Sequence, residues 1–253
     1  MIRIIVNADD CGLSAEVDKH IEDAIIQGVI SSTTIMVNMN DFDGALQLYK
    51  EYSNVVSFGV HLNLTEGHPM TKSQILLDKG IYIEKDGKLS FNASPFRRQL
   101  LSREVREGIY HELKVQVEKI LDNNVIISHI DSHHFIHQAV FMLPILPKLC
   151  KKYGITKIRN FSNYLPLSLN RALRNSWYPI IRMQNRNVKT TDWFTSFTHF
   201  YECLQKGRDY GKKNQSIELM THPGGIYKEE DELLFNTNWS ELSEYKLINY
   251  RDL

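Results

Sequence analysis

The chain has 253 residues, of which 42% are hydrophobic, so it can bury a sizeable core as one large domain or two small ones. Its 30 basic and 30 acidic side chains cancel, which argues against a nucleic-acid partner, because such binding needs a clear surplus of Lys and Arg. The three cysteines are scattered and form no Cys-x-x-Cys pair, so the sequence predicts neither a disulfide framework nor a thiolate zinc site.

The first predicted element is a strand at residues 2–7. Its near-continuous apolar character is typical of a strand that is buried on both faces of a parallel sheet. Two acids, Asp9 and Asp10, follow closely, so the apolar stretch is too short for a secretory signal or a membrane span. We therefore expect a cytoplasmic protein without a membrane partner.

Helical and strand patterns then alternate along the chain. Ser14 is a candidate N-cap for a first helix, which Gly28 ends. Six strands separated mostly by helices indicate an α/β chain with a parallel sheet, and the length favours a closed barrel built from residues 1–253 as one domain. The further predicted helices lie at about 41–52, 102–122 and 139–152, and the further strands at 33–37, 55–62, 125–130, 155–159 and 216–220.

Two stretches interrupt this alternation, at about 68–95 and 161–192. In the first, Asp86 and Gly87 lie between short strand patterns and predict a β-hairpin, which we interpret as an excursion over the mouth of the barrel. The second favours a solvated insertion or a partner-facing surface, with sugar stacking or a dimer contact as the alternatives. Its basic and aromatic residues are Arg171, Arg174, Arg182, Arg186, Lys189, Tyr164, Trp177 and Tyr178.

Polar side chains follow several of the predicted strands. In such folds the catalytic groups lie where strands end at their carboxyl edge. Asp9 and Asp10 follow the first strand, and because adjacent side chains diverge, one can bind a cation while the other reaches a water bound to it. His61 ends the third strand, and His222 lies at a Gly-rich turn after the last. Taken singly, such residues are more often helix caps or core histidines.

The densest polar segment is 128–137, which holds four histidines and Asp131. Buried imidazoles need a metal or a hydrogen-bond partner, and Asp131 is a carboxylate that can fix the tautomer of a ligand. The two acids, His61, His133 or a neighbour, and His222 supply three metal ligands, a base and an acid, as metal-assisted hydrolysis requires. Nucleophile-elbow, P-loop and dinucleotide motifs do not occur, and the adjacent acids raise the pKa of the Cys11 thiol.

Five motifs occur in a fixed order along the chain. They are Asn7-Ala8-Asp9-Asp10-Cys11-Gly12-Leu13-Ser14, Ser32-Thr33-Thr34 with Met36-Val37-Asn38, Gly59-Val60-His61-Leu62-Asn63-Leu64-Thr65-Glu66-Gly67, His129-Ile130-Asp131-Ser132-His133-His134, and Thr221-His222-Pro223-Gly224. Together they resemble the YdjC family of carbohydrate deacetylases, which includes chitooligosaccharide deacetylases. The resemblance extends from residue 2 to the C-terminal helix.

This resemblance implies an irregular (β/α) TIM-like barrel, a divalent cation that is magnesium in the family, and a homodimer. It also implies hydrolysis of N-acetyl groups on carbohydrates such as N-acetylglucosamine oligosaccharides. Carried over residue by residue, it places Asp10, His61 and His133 on the metal ligands. Similarity to the wider polysaccharide deacetylase pattern makes Asp9 the general base and His222 the general acid.

The same pattern makes Arg159 the residue that orients the base, on the strength of its strand-end position alone. The sequence departs from the family at Phe135, where many members have a third consecutive histidine, and at Cys11, where Phe is usual. Two imidazole ligands suit zinc better than magnesium, so zinc or another transition metal is the alternative cofactor. The alternative functions are a metal-dependent phosphoesterase and a non-catalytic sugar-binding protein.

Overall fold

The computed structural model describes residues 1–92, 101–160, 188–207, 213–225 and 228–253. Over these residues the chain forms an α/β fold with one curled parallel sheet, against which helices pack, and a separate two-stranded hairpin. In this part of the chain no helix combines the length and the apolar character that crossing a bilayer requires.

Strands and helices alternate along most of the described chain, as the sequence patterns predict, and the structure adds short elements that those patterns did not indicate. The strands are β1 (Ile2–Cys11), β2 (Ser32–Ile35), β3 (Ser57–Leu62), β4 (Tyr82–Lys85), β5 (Lys88–Phe91), β6 (Ile130–Ser132), β7 (Trp193–Ser196), β8 (Ser216–Thr221) and β9 (Tyr245–Leu247). The helices are α1 (Ala15–Ile26), α2 (Phe42–Tyr52), α3 (Gln74–Asp78), α4 (Arg103–Asp122), α5 (Ile145–Tyr153), α6 (Phe197–Gln205) and α7 (Lys228–Phe235).

The long strand β1 is the centre of the sheet. The strand order is β6-β3-β2-β1-β8-β7, and every pairing along it is parallel. The first residues of β1 also pair with β9, from Ile2 opposite Tyr245 to Ile4 opposite Leu247. Ile4 and Ile5 are fully buried, as expected for a strand with neighbours on both sides and covered faces. All carboxyl ends of these strands therefore lie at one edge.

The sheet curls, but a closed barrel is not confirmed. From β6 the parallel ladder continues only through isolated bridges, Ile130 with Ile158 and Lys157 with Lys189. Between these bridges and β7, the side chain of Asn160 donates to the main-chain oxygen of Thr191. Within the described residues the path of regular strands is thus open between β6 and β7.

Two predicted strands differ from the structure, one in its position and the other because it does not form a regular strand. Residues 125–129 run beside β3 without forming a regular strand, and β6 begins only at Ile130. Main-chain bonds to β3 are made at Ser128 and His129, but the Ile126 N–H donates to the Tyr49 hydroxyl instead of to a neighbouring strand, so the ladder does not extend through the segment. The predicted strand 155–159 is reduced to the isolated bridges described above.

Several local predictions are confirmed. The side chain of Ser14 accepts from the Val17 N–H and begins α1, as expected of an N-cap. The predicted hairpin is present as β4 and β5, and its turn residues Asp86 and Gly87 both have positive φ, at 52° and 73°. The helix predicted at 139–152 is shorter, because α5 begins at Ile145 after 3-10 turns.

The hairpin lies beside the loop that follows β3. The Phe91 N–H donates to the Gly67 carbonyl, and a ring nitrogen of His68 contacts the Leu89 carbonyl. Of the second excursion, residues 161–187 lie outside the described residues, together with most of its basic and aromatic side chains.

Candidate active site

The carboxyl ends of β1, β3 and β6 bring an acid and two histidines together. One oxygen of Asp10, Oδ1, lies 3.2 Å from His61 Nε2 and 2.9 Å from His133 Nδ1. All three residues are buried, and their ligand atoms lie within 4.8 Å of one another. Residues 51 and 72 positions apart in sequence therefore share one small volume, as convergence of parallel strand ends requires.

The end of β1 separates the two adjacent aspartates. The register between β1 and β2 shifts between Ala8 and Cys11, and Asp10 has a φ of 68°, in the left-handed region. A non-glycine residue in this region is strained, although Asp tolerates it better than most. Because of this turn Asp10 contacts the histidines, whereas Asp9 binds Arg159.

A sharp turn after β6 presents His133 and His134. Both His134 and Phe135 are left-handed, with φ values of 50° and 56°. His133 Nε2 lies 2.9 Å from Glu66 Oε2, and His134 Nδ1 lies 2.9 Å from the Thr65 hydroxyl. The loop after β3 and the turn after β6 are thereby joined at the edge of the site.

Asp131 fixes the orientation of His61. Its Oδ1 lies 2.7 Å from His61 Nδ1, and a carboxylate only accepts, so Nδ1 carries the proton and Nε2 faces Asp10. The other oxygen of Asp131 accepts from the Thr34 hydroxyl at 3.0 Å and from Arg159 at 2.9 Å. This carboxylate–histidine arrangement is the one that orients imidazole ligands in metal sites.

Arg159 binds Asp9 through both oxygens. Its Nη1 and Nη2 donate to Asp9 Oδ2 and Oδ1 at 2.7 and 2.6 Å, in a bidentate pair between two buried side chains. Burial by itself would raise the pKa of Asp9, but the guanidinium outweighs it and lowers the pKa to about 2. Asp9 is therefore ionised at neutral pH.

Two groups of side chains have the spacing of a metal site, and they differ in whether an arginine side chain is already bound to their carboxylates. The group Asp9, His61 and Asp131 receives the guanidinium of Arg159, which donates to both carboxylates. Among the described residues, no Arg or Lys side chain forms an ion pair with the group Asp10, His61 and His133. Because one carboxylate and two oriented imidazoles are a familiar donor set for a divalent cation with an open position, this second group fits a metal.

His61 and the carboxylates around it shift one another's pKa values. Burial would lower the pKa of His61, but the charge of Asp131 and the hydrogen bonds with Asp10 and Asp131 raise it to about 10. The two histidines in turn hold the pKa of Asp10 far below its usual range, against the effect of burial. Both shifts have the direction expected where positive charge is stabilised, as a divalent cation held by these residues would require.

His222 lies after β8 at the same edge of the sheet. Its main-chain N–H donates to Glu230 Oε1 at 2.9 Å, and its Nδ1 lies 3.7 Å from the same oxygen. Burial would lower the pKa of His222, but Glu230, Asp9 and Asp10 together raise it. The ring is thus biased toward the protonated form, which a general acid needs.

The residues predicted as metal ligands or catalytic groups all lie at this edge, while their individual roles stay predictions; they are Asp9, Asp10, His61, His133, Arg159 and His222. Sequence reasoning gave no role to Glu66, which contacts His133, or to Glu218, which accepts from Arg159 Nε at 2.8 Å. One signal for Glu218 is its position as the acid within the otherwise uncharged strand β8. Glu66 stands in the motif after His61, but nothing in its spacing points to His133.

Known proteins are similar to this chain over most of its length. The model of the YdjC-like protein family matches residues 3–249. The chain belongs to this family. A relative from Listeria monocytogenes, named carbohydrate deacetylase, is 32% identical over 232 residues, which cover 89% of this chain and 82% of the relative.

A second relative with the same name, from Vibrio cholerae, is 35% identical over 156 residues, which cover 61% of this chain and 57% of that protein. Among solved structures, an Enterococcus faecalis protein described as a candidate for cellobiose-phosphate cleavage superposes with a TM-score of 0.76. At 22% identity over 99% of this chain and 98% of that one, it supports the fold alone.

Proposed function

We propose that this chain is a metal-dependent hydrolase that removes N-acetyl groups from carbohydrates such as N-acetylglucosamine oligosaccharides. The observation that carries the proposal is the contact of Asp10 with His61 and His133, directly beside the ionised pair of Asp9 and Arg159. This arrangement lies in a chain whose relatives are named carbohydrate deacetylase.

A divalent cation held by Asp10, His61 and His133 would supply a Lewis acid beside the acetamide. The family resemblance suggests magnesium, but two nitrogen donors favour zinc or another transition metal over magnesium, which prefers oxygen ligands. We therefore propose a divalent metal and regard its identity as the first quantity to measure.

The residues around that site divide the proton transfers between them. Asp9, kept ionised by Arg159, accepts a proton from the attacking water as the water oxygen bonds to the acetyl carbonyl carbon. His222, biased toward its protonated form, then donates a proton to the sugar nitrogen as the C–N bond breaks. The products are acetate and the free amino sugar.

The geometry favours this reaction over the two alternatives. A phosphoesterase of the common two-metal type needs a second cation close to the first, and the neighbouring acidic group is already bound to Arg159. A protein that only binds sugars needs neither an ionised acid nor a histidine biased toward its protonated form at the same edge of the sheet. On the resemblance we also propose a homodimer, which analytical ultracentrifugation tests directly.

The deciding experiment measures acetate release from N-acetylglucosamine oligomers after chelation and after metal add-back. We expect activity to disappear on chelation and to return with a divalent metal. Parallel assays with phosphate esters test the phosphoesterase alternative. Release of phosphate but no acetate would contradict the proposal.

The role of Asp9 is tested by Asp9→Asn, which keeps the shape of the side chain and removes its charge. We expect turnover to fall by about 10²- to 10⁴-fold while metal content is unchanged, since a general base contributes about that much. Asp43→Asn, on the surface of α2, is the matched control. Wild-type turnover of Asp9→Asn would rule out Asp9 as the base.

A further inference from the structure

Beneath the site, a chain of buried hydrogen bonds runs from a turn near residue 250 to Asp9. The Tyr250 hydroxyl donates to Glu218 Oε2, and Glu218 Oε1 accepts from Arg159 Nε at 2.8 Å. Arg159 then binds both oxygens of Asp9. Tyr250, Glu218 and Arg159 all have an exposed fraction of 0%, so no water competes for these bonds.

Each nitrogen of the Arg159 guanidinium donates to a carboxylate. Nη1 and Nη2 face Asp9, Nη2 also reaches Asp131, and Nε faces Glu218. The guanidinium is planar, so a partner on Nε fixes the plane in which the two terminal nitrogens lie. Without Glu218, the remaining partners, Asp9 and Asp131, would contact only the two terminal nitrogens, so rotation of the guanidinium would be less constrained.

Tyr250 is itself held on three sides. Its ring stacks on His129 with centroids 3.5 Å apart and planes 8° apart. Its main-chain N–H donates to the Ser57 hydroxyl at 3.1 Å, and its hydroxyl donates to Glu218. The hydroxyl is therefore held in place, and its hydrogen bond restrains the orientation of the Glu218 carboxylate.

We propose that Glu218 and Tyr250 are positioning residues that fix Arg159 in its two-bond contact with Asp9. The proposal rests on the function proposed above, in which Asp9 is the general base. Neither residue reaches the reacting atoms, so each acts on turnover only through the orientation of the Asp9 carboxylate.

A second buried pair of a tyrosine and a glutamate provides a control that distinguishes positioning of Arg159 from a contribution to the stability of the fold. Tyr82 donates to Glu112 Oε2 at 3.0 Å, and both side chains are fully buried, as are Tyr250 and Glu218. The other described partners of Glu112 are Met70, Thr71 and Gln116, which carry no charge. Tyr82→Phe thus removes the same kind of bond to a buried carboxylate as Tyr250→Phe, together with a contact to the Thr71 hydroxyl at 3.0 Å, and has no connection to Arg159.

Substitutions at Glu218 separate hydrogen bonding from charge. Burial raises the pKa of Glu218 to about 7, although Arg159 opposes this rise. The carboxyl is thus readily neutralised, and a neutral Gln still accepts from Arg159 Nε. Glu218→Leu keeps a similar volume but offers no acceptor, so Nε loses its partner.

The experiment compares kcat, KM, metal content and crystal structure for Glu218→Gln, Glu218→Leu, Tyr250→Phe and Tyr82→Phe. We expect Glu218→Leu to lower kcat by about 10- to 100-fold and Tyr250→Phe by about threefold, with KM and metal content unchanged, because only alignment is lost. The kcat of Glu218→Gln should stay within about threefold of the wild-type value, and the kcat of Tyr82→Phe should equal the wild-type value.

Crystal structures give a readout that does not depend on activity. In Glu218→Leu we expect the guanidinium of Arg159 to rotate and to lose one of its two bonds to Asp9. If Glu218→Leu does not fold, Tyr250→Phe with its Tyr82→Phe control carries the test. Unchanged kcat in Tyr250→Phe, or an equal loss in Tyr82→Phe, would overturn the positioning role.

The proposed function and this inference fail in different ways. If the wild-type protein releases no acetate from any acetylated sugar, the proposed function is wrong, whatever the variants do. If the wild type is active but the two-bond contact of Arg159 with Asp9 persists in Glu218→Leu, the inference is wrong and the proposed function stands.

Discussion

The two histidines beside Asp10 are oriented by carboxylates in very different surroundings. Asp131, behind His61, has an exposed side-chain fraction of 0% and is held by Thr34 and Arg159 as well. Glu66, behind His133, is 48% exposed and lies on a loop. A buried, fully bonded carboxylate holds its partner rigidly, whereas water and side-chain entropy weaken an exposed one. One half of the site is therefore rigid and the other adjustable.

The loop that carries Glu66 is nevertheless shaped by the fold. Asn63 Oδ1 accepts from the N–H groups of Thr65 and Glu66, at 3.0 and 3.1 Å. The main chain of Asn63 is bound in turn by the Gln116 side chain from α4. The position of the Glu66 backbone is thus fixed, and the freedom lies in its side chain.

The largest expected effect comes from removing the rigid histidine itself. We expect His61→Ala to lose the metal and at least about 10²-fold in activity, because the cation loses the ligand that the fold orients best. Elemental analysis after dialysis measures the loss. His68→Ala, on the hairpin side of the loop, is the control. Full metal content in His61→Ala would remove His61 from the ligand set.

A smaller effect is expected when the rigid support is weakened. Asp131→Asn leaves His61 in place but removes the charge behind its Nδ1. We expect metal affinity to fall by about 10- to 100-fold, as is usual when such a partner is changed. Calorimetric titration of the metal-free protein measures the affinity, and wild-type affinity would show that Asp131 serves the fold rather than the metal.

The smallest effect is expected at the adjustable side. In Glu66→Gln the amide oxygen still accepts from His133 Nε2, and the lost charge is partly screened by water. We expect less than about a tenfold loss of metal affinity in the same titration. A loss as large as that of Asp131→Asn would mean that burial does not distinguish the two carboxylates.

Local signals in the sequence were sufficient for much of the fold. The apolar run of β1, the Ser14 cap and the Asp86-Gly87 turn each act over a few residues, and each predicts its element. The strands β7 and β9 were missed because each is short and is stabilised by pairing, β7 with β8 and β9 with β1. Such pairing depends on distant segments that local patterns do not contain.

The part of the site that lies at the carboxyl ends of the parallel strands could be predicted from the sequence. Asp10 and His61 are each the last residue but one of an apolar strand, and the carboxyl ends of parallel strands share one edge, so their convergence follows from the fold class. Glu218 was missed because it lies in the middle of β8 and not at its carboxyl end, and its contact with Arg159 joins segments 59 positions apart in sequence. Tyr250 comes from a turn that no strand pattern predicts. The single domain, the homodimer and the cytoplasmic location stay predictions.

The backbone conformation of Asp10 restricts which amino acids this position accepts. Its φ of 68° is readily adopted by Gly, Asn and Asp and disfavours branched or bulky residues. Of these three, Asp alone carries a negative charge. The backbone conformation and the attraction for a cation therefore both favour Asp at position 10. We expect almost any substitution there to strain the main chain or to remove the negative charge.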